Sequence, residues 1–176
     1  SNRDLQYIKE LRIKHPLHNL YIDPVKSSIA IFMAEVLRKS LEQTNRDENF
    51  FRFLENSIIS LDNNNKEIAN FHLLFMAQLT VFLGFSPNFD NYDNNRYFDL
   101  LNGTFESVQP PHSHFLEKEK KDLFVQTMKY DFENMGKIAL NRHQRNDILD
   151  SLCEYFQLHI PTFHSLKSVD VLKEIF

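Results

Sequence analysis

Apolar residues recur every three or four positions along most of this 176-residue chain, which is the pattern of amphipathic helices. The spacing predicts about six helices in a mainly α-helical bundle. We place them at about 24–43, 48–61, 66–83, 117–129 and 141–159, and expect a last helix that Ser165 or Ser168 caps. A short turn or helix is expected at about 131–138. The third helix is apolar on most sides, so we expect it in the middle of the bundle. In the second helix, the residues expected to face inward are Phe50, Phe51, Leu54, Ile58 and Leu61.

Capping signals mark several of these helix ends. Asp23-Pro24 supplies an N-cap and a first-turn proline, and Asp47 is positioned to cap the second helix. Gly84 follows the third helix in the place that favours a left-handed residue. Asn141 to Gln144 has the form of a capping box, which predicts a helix start.

Residues 86–114 are rich in Pro, Asn and Asp and lack the helical spacing. Within them, Asn102-Gly103 separates two β-type runs, 97–101 and 104–108, and this dipeptide is a strong signal for a β-hairpin. We therefore expect one helical domain over residues 23–176 with a small inserted hairpin. Residues 1–22 are expected to be a linker, and Ser1-Asn2 resembles the remnant of a cleaved tag.

Composition narrows the function classes. The net charge of −4 argues against strong nucleic-acid binding by this chain alone, because phosphate binding needs a basic surface. Cys153 is the only cysteine, so no disulfide within the chain and no cysteine-based zinc site can form, and a reduced cytoplasmic setting is expected. The most apolar stretch, Ile68 to Phe85, is interrupted by polar residues and predicts a buried helix rather than a membrane span.

Catalytic patterns are weak. His112 and His114, with Asp90 and Asp93 nearby in sequence, form the best metal-ligand candidate, and a small metal-dependent enzyme using them is one alternative. Cys153 lies between apolar helix positions, which favours a core thiol over a nucleophile. No phosphate-binding or dinucleotide motif is present. We therefore expect no enzyme and no cofactor, and an unrelated helical scaffold is the second alternative.

Two groups of basic residues could receive an acidic partner. Lys26, Arg38 and Lys39 share one predicted helix and could flank an apolar groove. Arg142 and Arg145 stand in the first turn of another, where cations oppose the helix dipole. That local conflict is consistent with a recruited anion or acidic partner, and the alternative is an ordinary solvated helix face.

Several short segments follow one another in a recognisable order: His15-Pro16-Leu17, Pro24–Ser28, Phe82–Phe85 with Pro87-Asn88-Phe89, Tyr97–Phe105, and Leu166-Lys167-Ser168 followed by Val171-Leu172. Together they resemble RecO recombination mediators of Bacteroides-like bacteria. These segments are spread over nearly the whole chain, and their order and spacing agree with those of the family.

The resemblance implies a role in DNA repair and recombination. An N-terminal OB-fold that binds DNA would precede residue 3, and the helical part would bind RecR and the acidic, Phe-ended tail of single-stranded DNA-binding protein. Together these proteins load RecA, and RecO also anneals strands, in a cytoplasmic, nucleoid-associated setting. For the tail we expect an apolar pocket rimmed by Lys26, Arg38 and Lys39, or by Arg142, Arg145 and Lys167.

Two features depart from the family pattern. Many relatives place four cysteines in the inserted hairpin to bind zinc, whereas Tyr92 and Asn95 stand near the first pair here, so we expect the site to be lost. Aromatic packing by Tyr92, Tyr97, Phe98 and Phe105 is expected to hold the hairpin instead. Some relatives also use arginines near the start of the third helix to hold the acidic tail, where this chain reads Phe71-His72-Leu73-Leu74.

Overall fold

The computed structural model describes residues 10, 12–41, 47–64, 68–90 and 92–176. Within these ranges the chain forms six α-helices, as the apolar spacing predicts. They are α1 (Pro24–Ser40), α2 (Glu48–Asn63), α3 (Phe71–Leu83), α4 (Lys118–Lys129), α5 (Arg142–His159) and α6 (Ser168–Ile175). Short 3₁₀ turns lie at Ile68–Asn70, Tyr92–Asn94 and Met135–Lys137. No helix in the described ranges is long and apolar enough to cross a membrane.

Helix α3 lies in the middle of the bundle and contacts α1, α2, α4 and α5. Because it is apolar on almost every side, nearly all of its first ten residues are buried. The predicted central helix is therefore confirmed. Its start differs from the prediction, since residues 68–70 form a 3₁₀ turn and residues 65–67 lie outside the described ranges. Gly84 ends the helix in the left-handed conformation, with φ of +81°.

The predicted caps of three helices are confirmed. Asp23 accepts a hydrogen bond from the Val25 N–H at 2.8 Å, and Asp47 accepts one from the Asn49 N–H at 2.8 Å. Asn141 accepts from the Gln144 N–H at 2.9 Å, and the Gln144 side chain accepts from the Asn141 N–H at 3.0 Å. The last pair completes the capping box.

The inward face of α2 differs from the prediction. Phe51 and Ile58 are 64% and 39% exposed, whereas Phe53 is buried. The reason is tertiary: the Phe53 ring stacks on Phe75 and Phe82 of α3, with ring centroids 5.7 and 4.6 Å apart. This packing rotates the buried face by about one position from the face that spacing alone favours.

The inserted segment forms three strands, β1 (Tyr97–Asp99), β2 (Thr104–Glu106) and β3 (Phe115–Glu117), in the order β2-β1-β3 with both pairings antiparallel. The predicted hairpin is β1 with β2. The third strand, which pairs Leu116 with Phe98, was not predicted, because the Pro110-Pro111 pair interrupts the chain before it. Aromatic rings pack the insertion as expected: Phe105 lies 4.8 Å from Phe98 and 6.1 Å from Tyr92 between ring centroids.

Candidate partner-binding site

Helix α6 begins at a carboxylate of α1. Glu35 accepts hydrogen bonds from the Lys167 N–H at 3.0 Å, the Ser168 N–H at 2.9 Å and the Ser168 hydroxyl at 2.6 Å. Burial alone would raise the pKa of Glu35, but these hydrogen bonds, led by that of the Ser168 hydroxyl, and the nearby Lys39 charge lower it to about 2. The prediction that Ser165 or Ser168 caps this helix is wrong, since Lys167 occupies the N-cap position without a side-chain cap bond. A side chain from another helix satisfies the free N–H groups instead.

Lys39 and Lys167, which belong to different predicted groups, meet at the start of α6. Lys39 lies 3.6 Å from Glu35 and donates to the carbonyl oxygen of Ser165. The Lys39 side chain is only 16% exposed, so its charge is engaged within the fold. Lys167 is exposed.

Arg142 and Arg145 meet at the other end of α6. Arg142 Nη2 donates to the carbonyl oxygens of Lys173 and Glu174, at 2.5 and 3.0 Å. Arg145 Nη1 donates to the main-chain oxygen of Phe176 at 2.9 Å. Both arginines stand in the first turn of α5, where the sequence indicated a recruited anion, and here they hold the negative end of a neighbouring helix.

Arg145 is also fixed by groups outside α6. Its Nε donates to Asn70 Oδ1 at 3.0 Å, and its Nη2 donates to the Leu140 carbonyl oxygen at 3.0 Å. Burial, and then the charge of Arg142, lower the pKa of Arg145 below its ordinary value. Asn70 directly precedes α3. Arg145 of α5 therefore lies at the start of α3, where the sequence of α3 contains no arginine of its own.

The aromatic part of this site is His72 with Phe176. Their rings stack at 5.3 Å between centroids with an interplanar angle of 9°, and the Arg145 guanidinium lies 5.9 Å from the Phe176 ring centre. His72 is 1% exposed, and its Nδ1 has no hydrogen-bond partner. Burial, and then the Arg145 charge, lower the pKa of His72 to about 3, so its ring is neutral at physiological pH.

Sequence reasoning missed His72, Asn70 and Phe176 as site residues. They come from two separate parts of the chain, and no local spacing signals their meeting. The one available hint was a polar ring and an amide at the start of an otherwise apolar helix.

Lys26 is placed away from any surface rim. It is 1% exposed, and its Nζ donates to the Asp62 carbonyl oxygen at 2.7 Å. The Asp62 carboxylate in turn accepts the N–H groups of His18, Asn19 and Leu20, at 3.2, 2.8 and 2.8 Å. Lys26 therefore helps to anchor the segment before α1 and cannot flank a groove.

Arg38 is exposed and makes no ion pair with the described residues. Its neighbours Ala34 and Leu37 line an apolar groove of about 290 Å³ between α1, α2 and the preceding segment. The groove is lined by Leu17, Leu20, Tyr21, Ala30, Met33, Ala34, Leu37, Leu54, Ile58 and Leu61. Of the first predicted group, only Arg38 is free to meet a ligand there.

Each of the two histidines that are candidate metal ligands lies beside one carboxylate. His112 Nε2 lies 3.3 Å from Asp99, and His114 Nδ1 lies 2.7 Å from Glu154. Among the described residues, no group of three or more His, Cys, Asp or Glu side chains could hold a metal ion. The geometry thus lends no support to the metal-dependent alternative built on Asp90 and Asp93.

Cys153 is partly buried on α5. Burial, and then the Asp150 charge, raise the pKa of its thiol to about 12. A thiol of that pKa stays protonated at neutral pH and is a poor nucleophile.

Comparison with known proteins gives a consistent family. A family described as "Recombination protein O C terminal" matches residues 22–168. The chain is 38% identical over 174 residues to the DNA repair protein RecO of Azobacteroides pseudotrichonymphae, covering 99% of this chain and 72% of the relative. It is 40% identical over 176 residues to that of Bacteroides fragilis, covering 99% and 73%. The Flavobacterium psychrophilum protein is 34% identical over 172 residues, covering 98% and 71%. No solved structure gives a significant match.

Proposed function

Because this chain belongs to the RecO family of DNA repair proteins, we propose that it is the helical, partner-binding part of a recombination mediator that acts by binding rather than by catalysis. Its partners are RecR and the acidic, Phe-ended tail of single-stranded DNA-binding protein. Through them it assists RecA loading and strand annealing. DNA is bound mainly by an N-terminal OB-fold, which agrees with the net charge of −4 on this chain.

We place the tail-binding site at Arg142 and Arg145. An acidic peptide that ends in an aromatic residue needs planar cations for its oxygens and a flat surface for its ring. The observation that supports this placement is the seating of residues 173–176: two arginines bind their main-chain oxygens, and a Phe ring stacks on His72. The site therefore already makes the two kinds of contact that such a peptide needs, oxygen atoms on the arginines and a ring on His72.

The competing placement is the apolar groove beside Arg38. It is open, and its lining is almost wholly apolar, so it could accept a ring. It offers one free cation among the described residues that line or border it, whereas two arginines converge on the first site. A peptide with several carboxylates is bound better by two cations than by one.

The test is fluorescence anisotropy with a labelled peptide that copies the acidic tail. Arg142→Glu is the primary variant, because Arg142 is exposed and its replacement leaves the buried contacts of Arg145 intact. Glu at this position loses the contacts with residues 173–176 but also repels the carboxylates of the peptide, and with repulsion the larger effect, binding should weaken by about tenfold or more. Arg38→Glu is the matched control and should bind as the unmodified chain does.

Binding should also disappear when the terminal Phe of the peptide is deleted. Circular dichroism of each variant checks that the fold is retained. If Arg38→Glu loses binding while Arg142→Glu keeps it, the site lies in the groove. If the unmodified chain and Phe176→Ala both fail to bind at high micromolar concentration, the tail is not a partner of this chain.

A further inference from the structure

The tail-binding site is occupied by the chain itself. Phe176 covers the buried His72 ring, and Arg145 and Arg142 hold main-chain oxygens of the segment 173–176. Two segments cannot place a Phe ring on the same face of His72 or accept the same guanidinium hydrogens at once. A peptide that binds there must first displace residues 173–176.

The end of α6 is held mainly by polar contacts near the surface, namely the hydrogen bonds from Arg142 and Arg145 and an ion pair between Lys173 and Asp150 at 2.6 Å. Among the residues of α6, only Leu172 is fully buried, while Val171 and Ile175 are 47% and 36% exposed. Its start is held separately by Glu35, which accepts two hydrogen bonds from Ser168 and keeps that end in place when residues 173–176 move. An element anchored at one end and little buried at the other can open locally at a small free-energy cost.

The residues that would receive the peptide keep their positions when residues 173–176 move away. Arg145 retains its bonds to Asn70 and to the Leu140 carbonyl oxygen, both outside α6. His72 remains packed edge-on against Phe32 of α1, with 6.0 Å between ring centroids. The site is therefore preorganised for a second occupant of the same chemistry.

We propose that residues 173–176 are an intramolecular competitor for this site, and that an acidic, Phe-ended peptide binds by displacing them. This inference rests on the proposed function, because it describes how access to the same site is regulated. The apparent affinity for the peptide is reduced by the fraction of molecules in which the site is open. Partner binding in turn releases the end of α6 from the bundle.

The chain has no tryptophan, so one introduced indole can report on the site alone. Phe176→Trp places it on His72 and beside Arg145. Without peptide, its emission should be that of a half-buried indole. Saturating acidic, Phe-ended peptide should shift the emission to longer wavelength, and the same peptide lacking its Phe should not.

A second variant measures the competition directly. Phe176→Ala removes the competing ring and should bind the labelled peptide about tenfold more tightly than the unmodified chain. Val171→Ala is the matched control, because Val171 lies on the same helix and its side chain is exposed, and it should leave the affinity unchanged. Circular dichroism verifies that both variants fold.

The outcomes separate the two proposals. Peptide binding with unshifted indole emission and unchanged affinity in Phe176→Ala would overturn the competition and leave the proposed function standing. Weaker binding by Phe176→Ala would also overturn it, since the ring would then belong to the receiving surface. Absence of binding by both the unmodified chain and Phe176→Ala would overturn both proposals.

Discussion

The carboxylate of Glu35 should stabilise the fold by joining α1 to the start of α6, and Glu35→Gln tests this. The carboxylate accepts three hydrogen bonds from Lys167 and Ser168 and lies 3.6 Å from Lys39. Its side chain is 13% exposed, so solvent screens these interactions only in part. Gln keeps the shape and one acceptor but removes the charge.

The expected magnitude follows from the pKa. A carboxylate whose pKa is lowered from 4.5 to about 2 on folding stabilises the folded state by about 3 kcal/mol at neutral pH. Because Gln retains part of the hydrogen bonding, we expect Glu35→Gln to lower the free energy of unfolding by about 2 kcal/mol. The sign of the pH dependence is fixed by the lowered pKa: the stabilisation is present above about pH 4.5 and is lost as the pH falls towards 2.

Urea unfolding followed by circular dichroism at pH 7 measures this difference. Ser168→Ala removes the hydroxyl donor alone and should lower the free energy of unfolding by about 1 kcal/mol. In the double variant the two losses should not add, because the residues share one network. A loss below about 0.5 kcal/mol in Glu35→Gln would refute the view that this carboxylate caps α6.

Two further predictions concern buried groups. The pKa of His72 is about 3 in the folded state and 6.5 in the unfolded state, so the unfolded state binds more protons between these pH values. The free energy of unfolding should therefore fall by about 2 kcal/mol from pH 8 to pH 5. Urea titrations should show that this fall is largely absent in His72→Gln. An equal fall in both proteins would contradict the assignment. Gly103 has φ of +67°, and a Cβ at this position would lie 2.8 Å from Tyr155 Oη. Gly84 has φ of +81°, but a Cβ there would meet no atom within 4 Å. Gly103→Ala should therefore lower the thermal unfolding midpoint more than Gly84→Ala does. Equal losses would show that the Tyr155 contact does not matter.

Local signals in the sequence were sufficient for the helix starts. The N-caps at Asp23, Asp47 and Asn141 act on N–H groups two or three residues away, so the residues concerned are visible in the sequence. The turn at Asn102-Gly103 is local in the same way. The sequence therefore predicted these helix starts and this turn correctly.

Contacts between residues far apart in the sequence determined the features that the sequence did not predict. Phe53 rather than Phe51 faces inward, because α3 offers rings for it to stack on. Lys26 was expected at a surface, and its burial depends on the Asp62 carbonyl oxygen, 36 residues away. The start of α6 depends on Glu35, more than 130 residues earlier. No spacing or propensity reveals such partners.

The family resemblance was recognisable from the order of short motifs, and the comparisons confirm it. The loss of the zinc site, the linker at 1–22 and the identity of the tail-binding residues stay predictions. Of the six basic residues proposed, Arg142 and Arg145 both bind main-chain oxygens of residues 173–176, whose Phe176 ring stacks on His72.

The most direct test of this account is photo-crosslinking with the acidic tail peptide carrying a benzophenone amino acid in place of its terminal Phe. After irradiation and digestion, mass spectrometry identifies the residues that the ring reaches. We predict adducts near His72 at the start of α3 and near Arg142 and Arg145 of α5, which decrease when unlabelled peptide is added. Adducts on Met33, Leu37 or Ile58 instead would place the ring in the groove between α1 and α2 and contradict the account.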